Sequence, residues 1–242
     1  MKIAIIHTSK GRPQIANVTA WNWLDQAWYP ARVKLEYWIG YETNEAAEYG
    51  RFMPALDAEF PGHIKQLPIQ GQCLTLENLP EPKDMHRFLT SHTKNNMLVN
   101  CAKADWFFCV ADNFLPFHDW LREMMPYLEK YKGTETLLNY PNEHERGLAA
   151  HPVFTKEFFH WHGDTMMRTE YPHAYADVDL FHTAKLGGKL VMLPITFRPL
   201  HKHPYLNQLA TEDDLNRFNY SPVIFAMSRN IWEQRKKILG VA

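Results

Sequence analysis

Cysteine is scarce: three in 242 residues, Cys73, Cys101 and Cys109, odd in number and without metal-type spacing. They read as reduced, mostly buried thiols of a cytoplasmic protein rather than a disulfide framework. Charge of one sign is missing too. A net charge of −1 and a pI near 6.9 supply no global field for a polyanion, so any nucleic-acid contact needs a local basic patch. No run approaches 18 consecutive apolar residues, which excludes a membrane-spanning helix, and the apolar stretch after Met1 is too short for a signal peptide. Several motifs are absent as well. The chain has no Gly-x-Gly-x-x-Gly, no phosphate-cradling Walker loop, no His-Glu-x-x-His and no Gly-x-Ser-x-Gly. Nor does it show a repeat, a low-complexity tract or a clear linker, so one domain over 1–242 is expected.

What is present is a hydrophobic fraction of 45%, enough for a sizeable core, and 14% aromatics with eight tryptophans. Lys2 to His7 reads as a strand, and the polar turn Thr8-Ser9-Lys10-Gly11-Arg12-Pro13 follows it. Ile15, Val18, Trp21, Trp23, Leu24, Ala27 and Trp28 then recur at roughly helical spacing up to Pro30. Val33 to Ile39 is a second strand. Strand, loop, helix and strand in that order argue for a parallel α/β sheet. A helix over Ala46–Leu56, a strand over Ile64–Ile69 and a loop at Leu79–Asp84 are expected next. A helix over Thr90–Lys103 follows, with Met97, Leu98, Cys101 and Ala102 as its apolar face.

Trp106 to Val110 is five apolar residues in a row, the pattern of a strand buried on both faces. Phe117, Trp120, Leu121, Met124, Met125, Leu128 and Tyr131 mark another helix, kinked before Pro126. Beyond it, strands are expected at Thr136–Tyr140 and Lys189–Leu193, with a polar loop over Pro141–Gly147. A strand and short helix fall within Val153–His160, and a helix over Tyr171–Leu186 is closed by Gly187-Gly188. Ser221-Pro222 caps a final helix over 222–238.

The central strand runs into Asp112-Asn113. A carboxylate there either caps the next turn or faces the crevice above the strand ends, where ligands bind in open α/β sheets. The Thr8–Pro13 loop is a plain strand-to-helix turn or a nucleotide cradle made of backbone amides and Arg12. Asp177 and Asp179 lie two apart, so on a helix they point about 200° away from each other and at most one faces a given site. His201-x-His203 is a possible ligand pair, but His160-x-His162 is a second such pair among thirteen histidines.

Taken together these features resemble the nucleotide-sugar glycosyltransferases of the GT-A fold, in particular the family-2-like kind found in phages and bacteria. Ile3 to Pro13 is similar to that family's first strand and base-binding loop. Lys94-Asn95 through Ala102, then Ala104-Asp105-Trp106, resembles the helix and strand leading to its metal motif. Val110-Ala111-Asp112-Asn113 occupies the Asp-x-Asp-like position. Ala176-Asp177-Val178-Asp179-Leu180 with Ala184 and Gly187 looks like the segment that holds the catalytic base, and His201-Lys202-His203-Pro204 falls where a late metal-binding histidine is common. Two departures stand out. Asn113 replaces a usual carboxylate, which weakens a hard-cation site unless histidine or phosphate oxygens complete it. The acidic residue usual after the second strand is here Tyr41 or Glu42.

The resemblance implies a single α/β GT-A-like domain with a mostly parallel sheet flanked by helices. About 1–115 would form its nucleotide-binding half and about 116–242 its acceptor and catalytic half. It implies a nucleoside-diphosphate sugar as donor, a UDP-sugar favoured, contacted by Thr8, Arg12, Glu42, Lys94, Asn95 and Asp112. Mn²⁺ or Mg²⁺ would be held by Asp112, Asn113, His201 and His203. Asp177, with Asp179 in reserve, would be the general base of an inverting transfer to an acceptor hydroxyl. The acceptor would be a saccharide, a small molecule or a modified DNA base flipped from its stack. A metal-dependent phosphoester hydrolase and a catalytically silent binding module remain the alternatives.

Overall fold

The computed structural model describes residues 1–242 except 29, 113, 195, 198, 202–220 and 242. In chain order its elements begin β1 (Lys2–Thr8), α1 (Pro13–Asp25), β2 (Lys34–Glu42), α2 (Ala46–Glu59), β3 (Ile64–Ile69), β4 (Gln72–Cys73), β5 (Phe88–Leu89), α3 (Ser91–Ala102) and β6 (Trp106–Val110). They continue with β7 (Phe114–Leu115), α4 (Trp120–Tyr131), β8 (Leu137–Asn139), α5 (Pro141–His144), β9 (Val153–Thr155), α6 (Lys156–Trp161), α7 (Ala176–Leu186), β10 (Leu190–Met192), β11 (Leu200–His201) and α8 (Pro222–Leu239). Seven strands form the main sheet in the order β10-β8-β9-β6-β1-β2-β3. Within it only β9 runs against its neighbours, β6 and β8. This is the mostly parallel, helix-flanked sheet that the strand–helix alternation predicts.

β6 is buried along its whole length, and its alternate residues feed two cores. Trp106 and Phe108 join Ile3, Ile5, Trp23, Leu35, Tyr37 and Trp120 on the face covered by α1, α2 and α4. Phe107 and Cys109 join Ala4, Ile6, Leu98, Phe154, Phe158 and Leu180 on the other face, with Trp232 of α8. A strand covered on both sides has no polar face to show, which is why Trp106–Val110 is a continuous apolar run.

Two helices, α1 and α3, depart from the expected faces, whereas α4 buries the expected Trp120, Leu121, Met124, Met125 and Leu128. On α1, Ile15, Val18, Trp21 and, beyond its end, Trp28 are exposed, while Ala16, Thr19, Ala20, Trp23 and Leu24 pack inward. Trp23 decides the rotation. Its Nε1–H donates to the Phe114 carbonyl at 2.8 Å, its ring stacks on Phe114 at 5.9 Å, and its own carbonyl accepts from Trp120 Nε1 at 2.9 Å. On α3, Met97 is exposed and so is Cys101; His92, Thr93, Lys94, Leu98, Val99 and Ala102 are the buried set.

Other boundaries shift for local reasons. The helix expected from Tyr171 starts at Ala176, because a residue followed by Pro172 is pushed out of the helical region and Tyr175 takes a left-handed φ of 66°. The polar stretch from Pro141 contains the one-turn α5, with proline at its first position. Lys83 and Asp84, expected in a loop, lie in a 3₁₀ turn over Pro82–Arg87. All three cysteines are free, but only Cys109 is buried, so the mostly buried thiols expected are not observed. Among the described residues no helix is long and apolar enough to cross a membrane.

The α1 rotation yields a direct test. Trp23→Ala is expected to lower stability by about 3–5 kcal/mol in urea unfolding, and Trp21→Ala by under about 1 kcal/mol.

Candidate active site

The parallel registers of β1 with β2 and β6 bring the strand ends into one row, with His7 paired to Val110 and Thr8 to Gly40. Asp112 leaves the end of β6 with 9% of its surface exposed. Its backbone carbonyl accepts from Thr19 Oγ1 at 2.6 Å, and its Oδ1 lies 2.9 Å from His7 Nε2. His7 is fully buried, and its Nδ1 lies 2.7 Å from the phenol oxygen of Tyr37. Burial, helped by the Asp112 charge, raises the Tyr37 phenol far above its ordinary range, so it stays a neutral hydrogen-bond donor. Arg12 Nη1 stands 4.0 Å from Asp112 Oδ2, at the edge of ion-pair range.

The loop after β1 is pinned from both sides. Ser9 N–H donates to the Gly40 carbonyl at 3.0 Å, and Ser9 Oγ accepts from Tyr49 Oη at 2.7 Å. Gly11 adopts φ 65°, open to glycine without strain, and its N–H donates to Glu45 Oε1. Thr8 is half-buried at the strand end. Glu42 is buried and its oxygens are taken. Oε1 lies 3.1 Å from Lys10 Nζ and 3.4 Å from Lys94 Nζ, while Oε2 accepts from Cys73 Sγ at 2.6 Å.

Burial pushes the Glu42 carboxyl up, but the Cys73 hydrogen bond and the two ammonium groups outweigh it, and the net shift is downward. The same carboxylate helps drive the Cys73 thiol up to about 11, burial being the larger cause. Lys94 is therefore a buried partner of Glu42 and not a solvated surface charge. Asn95 is half-buried, with its side-chain oxygen buried and unpartnered.

The two aspartates of α7 have opposite surroundings, as their spacing requires. Asp179 is buried in a clamp. It accepts from Tyr171 Oη at 3.1 Å, Thr183 Oγ1 at 3.0 Å and Arg235 at 3.0 and 3.4 Å, with Arg168 Nε at 3.6 Å. These bonds tie α8 to α7. Asp177 is half-buried, and its Oδ1 accepts a local bond from Val178 N–H at 3.0 Å. Burial raises its carboxyl from 3.8 to about 6, the Glu143 charge adding to the rise and the Val178 amide opposing it.

Between Asp177 and Asp112 sits a buried pair that motif reading misses. Glu143 Oε1 lies 2.7 Å from His151 Nδ1, Glu143 Oε2 accepts from the His151 backbone at 3.1 Å, and the imidazole stacks on Phe114 at 3.8 Å. Its one sequence cue is the place of Glu143 in the polar loop expected over Pro141–Gly147; His151 lies outside every expected element. Asp177 also connects here through its carbonyl, which accepts from Ala149 N–H at 3.1 Å. Phe114, His151 and Glu143 are thus in direct contact, Phe114 follows Asp112 by two residues, and the Glu143 charge reaches the Asp177 carboxyl. By contrast, a groove of about 490 Å³ formed by Glu123, Pro126, Tyr127, Lys130, Pro194, Thr196 and Phe197 contains none of these residues.

Of the expected metal ligands, Asn113 and His203 lie outside the described residues. The His201 backbone pairs with Phe114 in the antiparallel β11–β7 ladder, two residues from Asp112. Among the described residues no three His, Cys, Asp or Glu side chains cluster closely enough to hold a metal ion.

The chain matches no protein-family model and no curated protein sequence. Solved structures do share its fold. Residues 1–349 of S. aureus TarS superimpose with a TM-score of 0.59 at 10% identity, covering 98% of this chain and 72% of that one. The same protein in complex with UDP gives a TM-score of 0.56 at 9% identity, covering 80% of this chain and 58% of that one. The mannosyltransferase PcManGT from Pyrobaculum calidifontis, in complex with GDP-Man and Mn²⁺, gives 0.55 at 10% identity over 79% of this chain and 54% of that one. In the UDP and GDP-Man complexes the match spans a little over half of the neighbour's length. The architecture built here from strand order and register is the GT-A-like fold of nucleotide-sugar glycosyltransferases.

Proposed function

We propose that this chain transfers a sugar from a nucleoside-diphosphate donor to an acceptor hydroxyl, with Asp177 as general base and inversion at the anomeric carbon. The observation that carries the reading is the state of Asp177. A half-buried carboxyl raised to about 6, close to neutral pH, lies near enough to the Glu143–His151 pair to feel its charges, and His151 stacks on Phe114, two residues after Asp112. A base near the operating pH combines adequate ionisation with proton affinity. The attacking hydroxyl oxygen forms the new bond to the anomeric carbon and its proton passes to Asp177. The donor's bond to its diphosphate breaks on the opposite face, and that electron pair leaves with the nucleoside diphosphate. Asp179 is held by Arg235, Tyr171 and Thr183 and supports α7 instead.

The charge growing on the diphosphate needs neutralising. Arg12 is placed for that beside Asp112. Among the described residues Asp112 Oδ2 has no donor nearer than Arg12 at 4.0 Å, which leaves it available to a divalent ion of the kind commonly held by one or two carboxylates plus substrate phosphates. Asp112, Asn113 and His201 or His203 would hold Mn²⁺ or Mg²⁺, which when bound supplies Lewis-acid stabilisation of the leaving diphosphate. UDP, UDP-GlcNAc and GDP-Man bound to the structural neighbours support this donor class, a UDP-sugar being favoured. On this reading about 1–115 carries the donor, through Thr8, Arg12, Lys94 and Asn95, and about 116–242 carries the base and the acceptor. A saccharide or small-molecule acceptor is preferred over a modified DNA base, since the net charge of −1 provides no general attraction for DNA.

The test is release of nucleoside diphosphate from UDP- and GDP-sugars supplied with Mn²⁺. Asp177→Asn is expected to lower wild-type turnover by about 10²–10⁴-fold. Phosphate-ester hydrolysis without a sugar nucleotide, or turnover untouched by the substitution, contradicts the proposal. The pH profile follows from the same group. With the base required ionised, kcat/KM falls about tenfold per unit below pH about 6.

Stability moves the opposite way. The unfolded Asp177 ionises near 3.8 and the folded one near 6, so native stability declines as pH rises through that window, by roughly 3 kcal/mol at most, and stays lower above it. Asp177→Asn therefore raises Tm at pH 7.5 while lowering turnover. A lowered Tm there would show the residue to be structural.

A further inference from the structure

We propose that His7, locked in a single tautomer by Tyr37, is the positioning residue that aims the Asp112 carboxylate at the donor. This inference rests on the transferase reading above and adds to it two residues that come from strands β1 and β2. The chemistry of the three groups leaves little freedom. An ionised carboxylate accepts hydrogen bonds and donates none, so the nitrogen 2.9 Å from Asp112 Oδ1, Nε2, carries a proton. His7 Nδ1 then accepts from the Tyr37 phenol 2.7 Å away, and the relay runs Tyr37 to His7 to Asp112 with every bond donated in one direction.

Both His7 and Tyr37 are fully buried in the sheet, packed at 5.8 Å edge to face, so neither has a water to fall back on. An unpartnered imidazole there would be costly, and its conservation of bonds points at a single recipient, Asp112. The relay takes Oδ1, Thr19 fixes the Asp112 backbone carbonyl, and Oδ2 is left turned toward Arg12. A hydrogen bond from the layer behind a ligand is what orients that ligand, and its loss typically costs tenfold to a hundredfold in affinity.

Two measurements test the proposal. The first is the ¹⁵N spectrum of histidine-labelled protein without ligand. It is expected to show a protonated, pyrrole-like Nε2 and a bare, pyridine-like Nδ1 for His7, with the pattern broken in Tyr37→Phe. A proton on Nδ1 in the wild type overturns the lock. The second is Mn²⁺ affinity, read by electron paramagnetic resonance in the presence of whichever of UDP and GDP binds the wild type. His7→Leu is expected to weaken it tenfold to a hundredfold, His7→Gln to restore most of the loss through its amide donor, and Tyr37→Phe to fall between them. Circular dichroism and urea unfolding identify variants that retain the fold. Equal affinity in wild type and folded His7→Leu refutes the role of His7 and leaves the transferase reading intact. Failure of the wild type to bind either nucleotide with Mn²⁺ removes both.

Discussion

The parallel pairing of β1 with β6 is the constraint on which the site depends. It sets His7 beside Val110 in a sheet covered on both faces, so the polar groups at the two strand ends must satisfy each other. The consequence is the line from Tyr37 through His7 to Asp112, three polar groups with almost no solvent access. The same pairing places the loop after β1, with Arg12 and the pinned Gly11, over the end of β6. Remove the register and the carboxylate loses its orientation, its arginine neighbour and its backbone anchor at Thr19 together.

Asp177 and Asp179 show how environment divides identical side chains. They share one helical turn and point about 200° apart, so one meets α8 and the other lies within reach of the Glu143 charge. Asp179 meets Arg235 and Arg168 and stays a bonded anion inside a clamp. Asp177 meets burial and the Glu143 charge, which outweigh the relief from its local amides and His151, and its carboxyl rises to about 6. The clamp also joins α8 to the helix that carries Asp177, so the last helix has a part in holding the proposed base.

Much of the fold was legible in the sequence, for reasons that can be named. The run Trp106–Val110 had to be a two-sided strand, and Ser221-Pro222 had to open a helix, because each pattern is local. The rotation of α1 was not legible: Ile15, Val18 and Trp21 have the right spacing, yet Trp23 reaches the Phe114 carbonyl and Trp120, contacts made with residues more than 90 positions away. The site divides in the same manner. Asp112 stands out in the sequence by its place after a strand, and Asp177 by the resemblance of its segment, although the helix expected from Tyr171 begins only at Ala176. His7 was hidden inside an apolar strand, Glu143 inside an expected loop and His151 between two expected elements, since their meaning lies in partners that only the fold supplies. Glu42 was picked out as a nucleotide contact, but Lys10, Lys94 and Cys73 already take its oxygens.

The central claim is that the strand ends around Asp112 form a donor site for a sugar nucleotide. The most direct test is the thermal shift of the intact protein with UDP, GDP, CDP and their sugar conjugates, each with and without Mn²⁺, beside Asp112→Ala. A ligand that binds only the native state raises Tm by mass action, by about 2.7 kcal/mol of stabilisation at a hundredfold excess over Kd. The account predicts a shift for one nucleotide that grows with Mn²⁺ and vanishes in Asp112→Ala. No shift with any of them, or one that Asp112→Ala leaves unchanged, would contradict it.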